Sequence, residues 1–195
     1  MYSKDLIWIK ENSITPENCL SMVKQFEEDE RKDVGTTLGG VNLKIKNTFD
    51  LGITGLSGWE VSDNIIYEAL HQGLSEYQEF IKSLHNSFPI FSQHSNEPLF
   101  DSGYQIQRYD AGGDPGYYNW HSDHSRDLRG MRLLTFLWYL NDVEVGGETE
   151  FIDEVKIQPR AGKLVVFPAT WTYVHRGKAP ISNSKWIVTG WLYAK

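Results

Sequence analysis

The sequence predicts a mainly β domain with flanking helices, an α+β class, and three observations predict it. From Gly103 onward, short apolar runs alternate with turn residues: Tyr104 to Tyr109, Tyr118 to His124, Met131 to Leu140, Glu148 to Ile152, Lys163 to Phe167 and Trp186 to Tyr193. Asn141-Asp142, Gly146-Gly147 and Pro159 to Gly162 punctuate them, and evenly spaced short strands of this kind build a sandwich or a barrel-like double sheet. Helical periodicity, by contrast, is confined to the N-terminal half. Finally, 195 residues with 40% hydrophobic content suit one domain with a proper core. We therefore read residues 1–195 as a single domain, with a helical and loop support over 1–102 and a β core over 103–195.

Taken in order, Leu6-Ile7-Trp8-Ile9 reads as a short strand, and Thr15-Pro16 gives an N-cap followed by a first-turn proline. The helix that follows repeats Leu20, Val23 and Phe26 at helical spacing, then runs out into the solvated charges Glu27 to Lys32. Val34 to Trp59 is interrupted by Gly35, Gly39, Gly40, Gly52, Gly55 and Gly58, so it reads as loop or short strands, a surface connection more simply than a mobile lid. Ser62 to His85 is the longest predicted helix, capped by Ser62 or Asp63. Its stripe of Ile65, Ile66, Ala69, Leu70, Leu74, Tyr77, Phe80, Ile81 and Leu84 is to pack on the back of a sheet. His71 and His85 are read as ordinary surface or semi-buried residues, and Phe88 to Asp101, with Pro89, His94 and Pro98, as a connection without chemistry.

Composition excludes several function classes. A net charge of −7 argues against a phosphate-coating surface, so no nucleic-acid partner is expected. Cys19 is the single cysteine, which rules out an intrachain disulfide and suits a reducing compartment. The charged Met1 to Lys10 segment does not read as a signal peptide, and no apolar run approaches membrane-spanning length. The expectation is a soluble, cytoplasmic protein without a membrane partner; oligomeric state is not readable.

The chemistry concentrates in Tyr117-Tyr118-Asn119-Trp120-His121-Ser122-Asp123-His124. On an extended strand, positions two apart share a face, so His121 and Asp123 would present an imidazole and a carboxylate to one point. His175 follows the turn Pro159 to Gly162 and the run Lys163 to Phe167, where an antiparallel partner would bring it alongside. Two imidazoles and one carboxylate leave coordination positions open, the arrangement of non-heme Fe(II) oxygenases. His124 would point to the opposite face and is rejected as a ligand. Lys185, soon after the last ligand, would pair with the far carboxylate of a bound acid.

From Tyr104 to Tyr193 the chain resembles the 2-oxoglutarate and Fe(II)-dependent dioxygenases of the prolyl 4-hydroxylase type. The matching text runs Arg108-Tyr109, Gly112-Gly113, Tyr118, His121-Ser122-Asp123, and Arg132 to Asn141. It continues through Gly146 to Phe151, Pro159 to Phe167, His175, Lys185-Trp186 and Trp191. The resemblance implies a jelly-roll double-stranded β-helix, with His121, Asp123 and His175 as both the catalytic centre and the metal ligands. Fe(II), 2-oxoglutarate and O2 are the implied cofactors, with ascorbate as a reductant; the implied reaction hydroxylates an unactivated C–H, releasing succinate and CO2. Lys185 and the Tyr139 phenol would hold the distal carboxylate of 2-oxoglutarate, with Thr135, Tyr109 and Trp191 completing the cofactor pocket.

Which of Tyr117 and Tyr118 faces that pocket is open, since Tyr117 shares strand parity with His121. Of Arg126, Arg129 and Arg132, one at most is expected to touch substrate. Relative to the animal oxygen-sensing members, Gly113-Asp114-Pro115-Gly116 inserts extra residues before the first histidine. The expected substrate is a prolyl residue of a peptide or protein. The alternatives are the same chemistry on a free amino acid or other small molecule, a modified nucleobase being the least compatible with the acidic balance, or a catalytically silent jelly-roll binding module.

Overall fold

The computed structural model describes residues 3–84, 99–127 and 130–194. His85, Pro89, His94, Pro98 and Arg129 therefore lie outside the described residues. A short 3-10 turn, Ser3–Leu6, precedes β1 (Trp8–Lys10), α1 (Pro16–Glu28), β2 (Asp33–Val34), β3 (Lys46–Asn47), β4 (Phe49–Gly52) and α2 (Glu60–Leu84). There follow β5 (Phe100–Asp101), β6 (Gln105–Tyr109), β7 (Tyr117–His121), β8 (Arg126–Asp127) and β9 (Gly130–Tyr139). The chain ends through β10 (Thr149–Phe151), β11 (Lys156–Ile157), β12 (Leu164–Pro168), β13 (His175–Gly177) and β14 (Lys185–Ala194).

Two antiparallel sheets result. The major sheet runs β1-β12-β9-β14-β6-β4-β2, with β5 beside β14 and β8 beside β9; the minor sheet runs β11-β10-β13-β7-β3. Strand alternation sorts the major sheet's side chains between two cores. Leu134, Phe136 and Trp138 of β9, with Leu164 and Val166 of β12, join Phe26 of α1 and Ile66, Leu70 and Tyr77 of α2. The opposite parity, Leu137, Tyr139, Val165, Phe167 and Ile187, meets Phe151 and Ile157 of the minor sheet. This is the jelly-roll double-stranded β-helix, with both helices on the outer face of its larger sheet. Its space between sheets is where Thr135, Lys185, Thr189 and Trp191 also fall by parity.

Several expectations are corrected. The buried stripe of α1 is Cys19, Met22 and Phe26, whereas Leu20 stands 54% exposed. Pro16 at the first helical position, behind a Thr15 Oγ1 that accepts from Asn18 N at 3.3 Å, sets a frame that puts Leu20 on the outer face. In α2 the helix begins at Glu60, so Ser62 lies inside the first turn, buried, with its hydroxyl donating to Gln25 Oε1 at 3.2 Å rather than capping. Leu6 belongs to the 3-10 turn, and the strand after it pairs Trp8 with Val166.

The predicted strand over Tyr118 to His124 stops at His121. The glycine-rich Val34 to Trp59 stretch contributes β2, β3 and β4, the last paired with β6 through Leu51 opposite Ile106. Periodicity missed them because each is only two to four residues long. No described helix is long and apolar enough to cross a membrane.

Gly190 of β14 marks where the sheet is tightest. A Cβ there would lie 2.6 Å from Gly103 O and 2.6 Å from Phe136 Cζ. Overpacking of this kind costs about 1–3 kcal/mol. Gly190→Ala should lower the urea midpoint accordingly without changing the slope of the transition; an unchanged midpoint would show that the site yields.

Candidate metal centre and the recess behind it

The minor sheet assembles the metal site. β13 pairs with β7 so that His175 lies directly across from His121, while Gly177 lies across from Tyr118. Two residues on β13 thus span three on β7, which is a β-bulge. The extra residue puts Tyr118 on the same face as His121, and the rings stack with centroids 3.5 Å apart at 11°. This settles the tyrosine question against simple parity: Tyr118 faces the site, while the Tyr117 hydroxyl donates outward to Leu43 O at 2.7 Å.

Asp123 comes to the site from the irregular segment after β7 rather than along the strand. Its Oδ2 accepts a 2.7 Å hydrogen bond from Thr135 Oγ1, and both groups are buried. One ligand atom from each of His121, Asp123 and His175 lies within 4.8 Å of the others. The Nε2 of His121 is 4.0 Å from Asp123 Oδ1, and that of His175 is 3.6 Å from Oδ2.

The donor set fits a metal. His121 Nδ1 sits 2.7 Å from Asn119 O and His175 Nδ1 sits 3.0 Å from Tyr173 O. A carbonyl only accepts, so each Nδ1 carries the hydrogen and each Nε2 keeps a lone pair for a cation. Burial, then the neighbouring His175, pushes the His121 pKa down to about 4, so this ring is neutral near pH 7. Burial opposes ionisation of Asp123, but the two imidazoles and the Thr135 hydroxyl outweigh it and hold the carboxyl below its ordinary range. His124 is exposed and outside the cluster.

Behind the cluster lies a narrow recess of about 50 Å³, lined by the three ligands, Tyr109, Thr135, Thr149, Lys185 and Trp191 among others. Lys185 is 1% exposed. Its Nζ donates to Gly147 O at 2.9 Å and lies 3.9 Å from the centre of the Tyr109 ring. Gly147 is at φ +73°, a conformation glycine adopts without strain. Desolvation, opposed only by the charge of Glu148, pushes the Lys185 pKa down to about 7. The recess opens into a cavity of about 450 Å³ whose lining includes Thr36, Lys46, Gln105, Gln107, Arg132 and Trp191.

The remaining candidates take definite places. Tyr109 turns its ring to Lys185 and its hydroxyl to Gln107 Oε1, at 3.0 Å. Thr135 is the hydrogen-bond donor to Asp123, a role that parity could not reveal. Trp191 lines both chambers and carries the Arg132 guanidinium 3.6 Å above its ring centre. Arg132 is also bonded to Tyr193 Oη at 3.0 Å, while Arg126 is exposed on β8. Tyr139 is fully buried, and its hydroxyl donates to Thr149 Oγ1 at 2.6 Å.

Sequence reasoning missed Thr149, although its parity with the buried Phe151 was available. It also missed Lys46 and Asp50, a buried pair 2.5 Å apart with Thr48 Oγ1 donating to Asp50 at 2.8 Å. The alternation Lys46, Thr48, Asp50 was the signal. It was lost in a stretch read as loop or short strands.

With this geometry in place, the comparisons with known proteins fall into line. Residues 104–193 match the sequence profile described as the 2OG-Fe(II) oxygenase superfamily. The match covers a little under half of the chain and is what makes the chain similar to that superfamily. Prolyl 4-hydroxylase 13 of Arabidopsis thaliana is 26% identical over 151 residues, covering 65% of this chain and 55% of that protein. Probable prolyl 4-hydroxylase 3 of the same plant is 30% identical over 120 residues, 47% of this chain and 42% of that one. The chain thus spans about half the length of the curated relatives it matches.

Among solved structures, a prolyl hydroxylase from Trichoplax adhaerens, in complex with a hypoxia inducible factor peptide fragment, superposes with TM-score 0.73 at 18% identity, covering 97% of this chain and 84% of that one. The 2OG complex of a viral collagen prolyl hydroxylase from Paramecium Bursaria Chlorella virus-1 gives 0.66 at 18%, with 97% and 96% covered. At this identity the likenesses show a shared fold.

Two outcomes follow. Thr135→Val keeps the side chain's shape but takes the donor from Asp123, and loss of such a supporting partner weakens metal binding about 10–100-fold. Titration with Mn(II) should show it, and unchanged affinity would leave Thr135 a packing residue. Burying the Lys185 ammonium costs stability on the order of a few kcal/mol. Because its folded pKa lies below the unfolded one, the unfolded chain holds more protons between pH 7 and the ordinary lysine range, so wild-type stability rises with pH there. Lys185→Met should therefore be more stable than wild type by most below pH 7, the gap narrowing above it; a pH-independent gap would contradict this.

Proposed function

We propose that this protein is an Fe(II)- and 2-oxoglutarate-dependent dioxygenase that hydroxylates an unactivated C–H, a prolyl residue of a peptide or protein, releasing succinate and CO2. The observation that carries this reading is the convergence of the His121, Asp123 and His175 donor atoms at the mouth of a recess that holds the buried Lys185. When bound, ferrous iron and 2-oxoglutarate supply oxygen activation and the oxidising power of decarboxylation. His121 and His175 offer Nε2 lone pairs, and Asp123, held by Thr135, offers a carboxylate oxygen. Three protein donors leave open positions for a chelating co-substrate and O2.

Lys185 supplies the positive charge that draws the far carboxylate inward, and its burial keeps water from competing for that ion pair. The outer cavity, roomy and lined by hydroxyl, amide and aromatic groups, receives the substrate. That the substrate is a prolyl peptide rests on the relatives named prolyl 4-hydroxylase and on the Trichoplax adhaerens enzyme's peptide complex. Ascorbate serves as reductant, and the reducing conditions suggested by the lone Cys19 favour a cytoplasmic location.

The test is succinate formation from 2-oxoglutarate with Fe(II), with and without ascorbate, in the presence of proline-containing peptides. Asp123→Ala should abolish it and His175→Ala should abolish metal retention. Lys185→Ala, which strands a carboxylate in a buried site, should cost about 2–5 kcal/mol of 2-oxoglutarate binding, a 30-fold or larger rise in the concentration required. Peptide-independent turnover stimulated by small molecules would shift the substrate class. Absence of any metal-dependent 2-oxoglutarate binding would leave a silent jelly-roll module.

A further inference from the structure

Resting on the reading of the outer cavity as the substrate's, we propose that the buried Lys46–Asp50 pair is a positioning device. It fastens the Gly35 to Leu38 wall of that cavity to the Tyr118 ring, which lies on His121. The two side chains are 2% and 7% exposed, and they belong to different sheets. Lys46 stands on β3 opposite Tyr118 of β7, in the minor sheet, and Asp50 stands on β4 opposite Gln107 of β6, in the major sheet. Their 2.5 Å contact therefore ties the sheets together beside the cavity, whose lining includes Lys46, Gln107 and Tyr118.

The pair reaches in two directions. Toward the cavity wall, Lys46 Nζ also donates to Thr36 O at 3.3 Å, and Gly35 N donates to Thr48 O at 2.8 Å. Thr48 Oγ1 in turn donates to Asp50 Oδ1 at 2.8 Å. Gly35 closes down on this group: a Cβ there would run into Thr48 Oγ1 and lie 3.0 Å from both Asp50 Oδ2 and Lys46 Cε. Thr36, Thr37 and Leu38, the next residues along, face the cavity. Toward the metal site, Lys46 Nζ lies 5.3 Å from the centre of the Tyr118 ring, and that ring stacks on His121 at 3.5 Å. One ammonium thus touches both the wall and the support of a metal donor.

Stability alone does not account for the pair. Burial raises the Asp50 pKa in spite of the ammonium and the Thr48 hydroxyl beside it, so the contact does not recover the cost of its own desolvation. An apolar pair of similar volume would fill the same space at no such cost. What it would lack is the bond from Nζ to Thr36 O and the charge over Tyr118. The wall and the ring would then move independently.

The test replaces both charges at once, because removing one strands the other in a buried place. Lys46→Met/Asp50→Leu should keep the wild-type urea midpoint or raise it. Amide exchange over Gly35 to Leu38, followed by mass spectrometry, should nevertheless quicken about tenfold, the scale of a lost hydrogen bond to a charged group. Exchange in α2 should not change. In the metal-free protein, the His121 ring resonances should move toward those of Tyr118→Leu, which has no ring left to shift them. Gly35→Ala, which keeps both charges and lifts the wall from them, should quicken the same exchange. With a proline-containing peptide, the double variant should raise the peptide KM about tenfold, while the Mn(II)-dependent 2-oxoglutarate dissociation constant stays at the wild-type value. A lowered midpoint with unchanged exchange would make the pair a stability device, and unmoved His121 resonances would uncouple it from the metal site; either overturns the proposal. Wild-type protein that forms no succinate with such peptides sinks the reading of the cavity instead, and the exchange and resonance measurements still decide the role of the pair.

Discussion

The site depends on one strand contact, His175 of β13 opposite His121 of β7. Residues paired across antiparallel strands sit about 5 Å apart at their Cβ atoms whatever the sequence distance between them. Pairing therefore does for two imidazoles what proximity in sequence cannot. The bulge beside that pair turns Tyr118 onto His121, and β7 ends at His121, so Asp123 reaches the site from an irregular segment. A regular ladder in the same place would put Tyr117 under the histidine and direct Tyr118 to solvent.

The larger sheet makes this geometry rigid. β9, β12 and β14 are covered on both faces, by α1 and α2 on one side and by the minor sheet on the other, and a strand so enclosed resists sliding because a one-residue slip would exchange its two faces. Every inward position on β9 and β14 inherits that constraint. Thr135 reaches Asp123, Leu137 fills the recess wall, and Lys185, Ile187 and Trp191 stand in one file along the cavity. The two chambers are thus the gap left where inward side chains become polar or small.

What was legible in the sequence was whatever alternation and turn chemistry encode. The order of the β core, the Thr15 cap, the stripe of α2 and the grouping of His121, Asp123 and His175 could be read. What was not legible depended on tertiary pairing. The two-residue strand at Lys46 acquires its meaning only beside β7, and a bulge has no periodic signature until both strands are aligned. Thr135 was placed on the correct face, yet only the irregular path of the chain after His121 brings a carboxylate within its reach. Tyr139 illustrates the converse: resemblance assigned its phenol to the ligand, and in the fold its hydroxyl donates to Thr149 Oγ1, a neighbour that local reading had no reason to weigh.

Two buried lysines differ in how the fold answers their charge. Lys46 has its own carboxylate, Asp50, at 2.5 Å, so its charge is answered within the fold. Lys185 has a carbonyl and the face of a ring, partners that solvate an ammonium without neutralising it. A buried cation left in that condition is destabilising, and a fold that needed only packing at this position would be better served by methionine. Only the charge of Glu148 acts on Lys185 within the fold. On the reading proposed above, a co-substrate carboxylate beside Lys185 answers the charge that the fold itself leaves open.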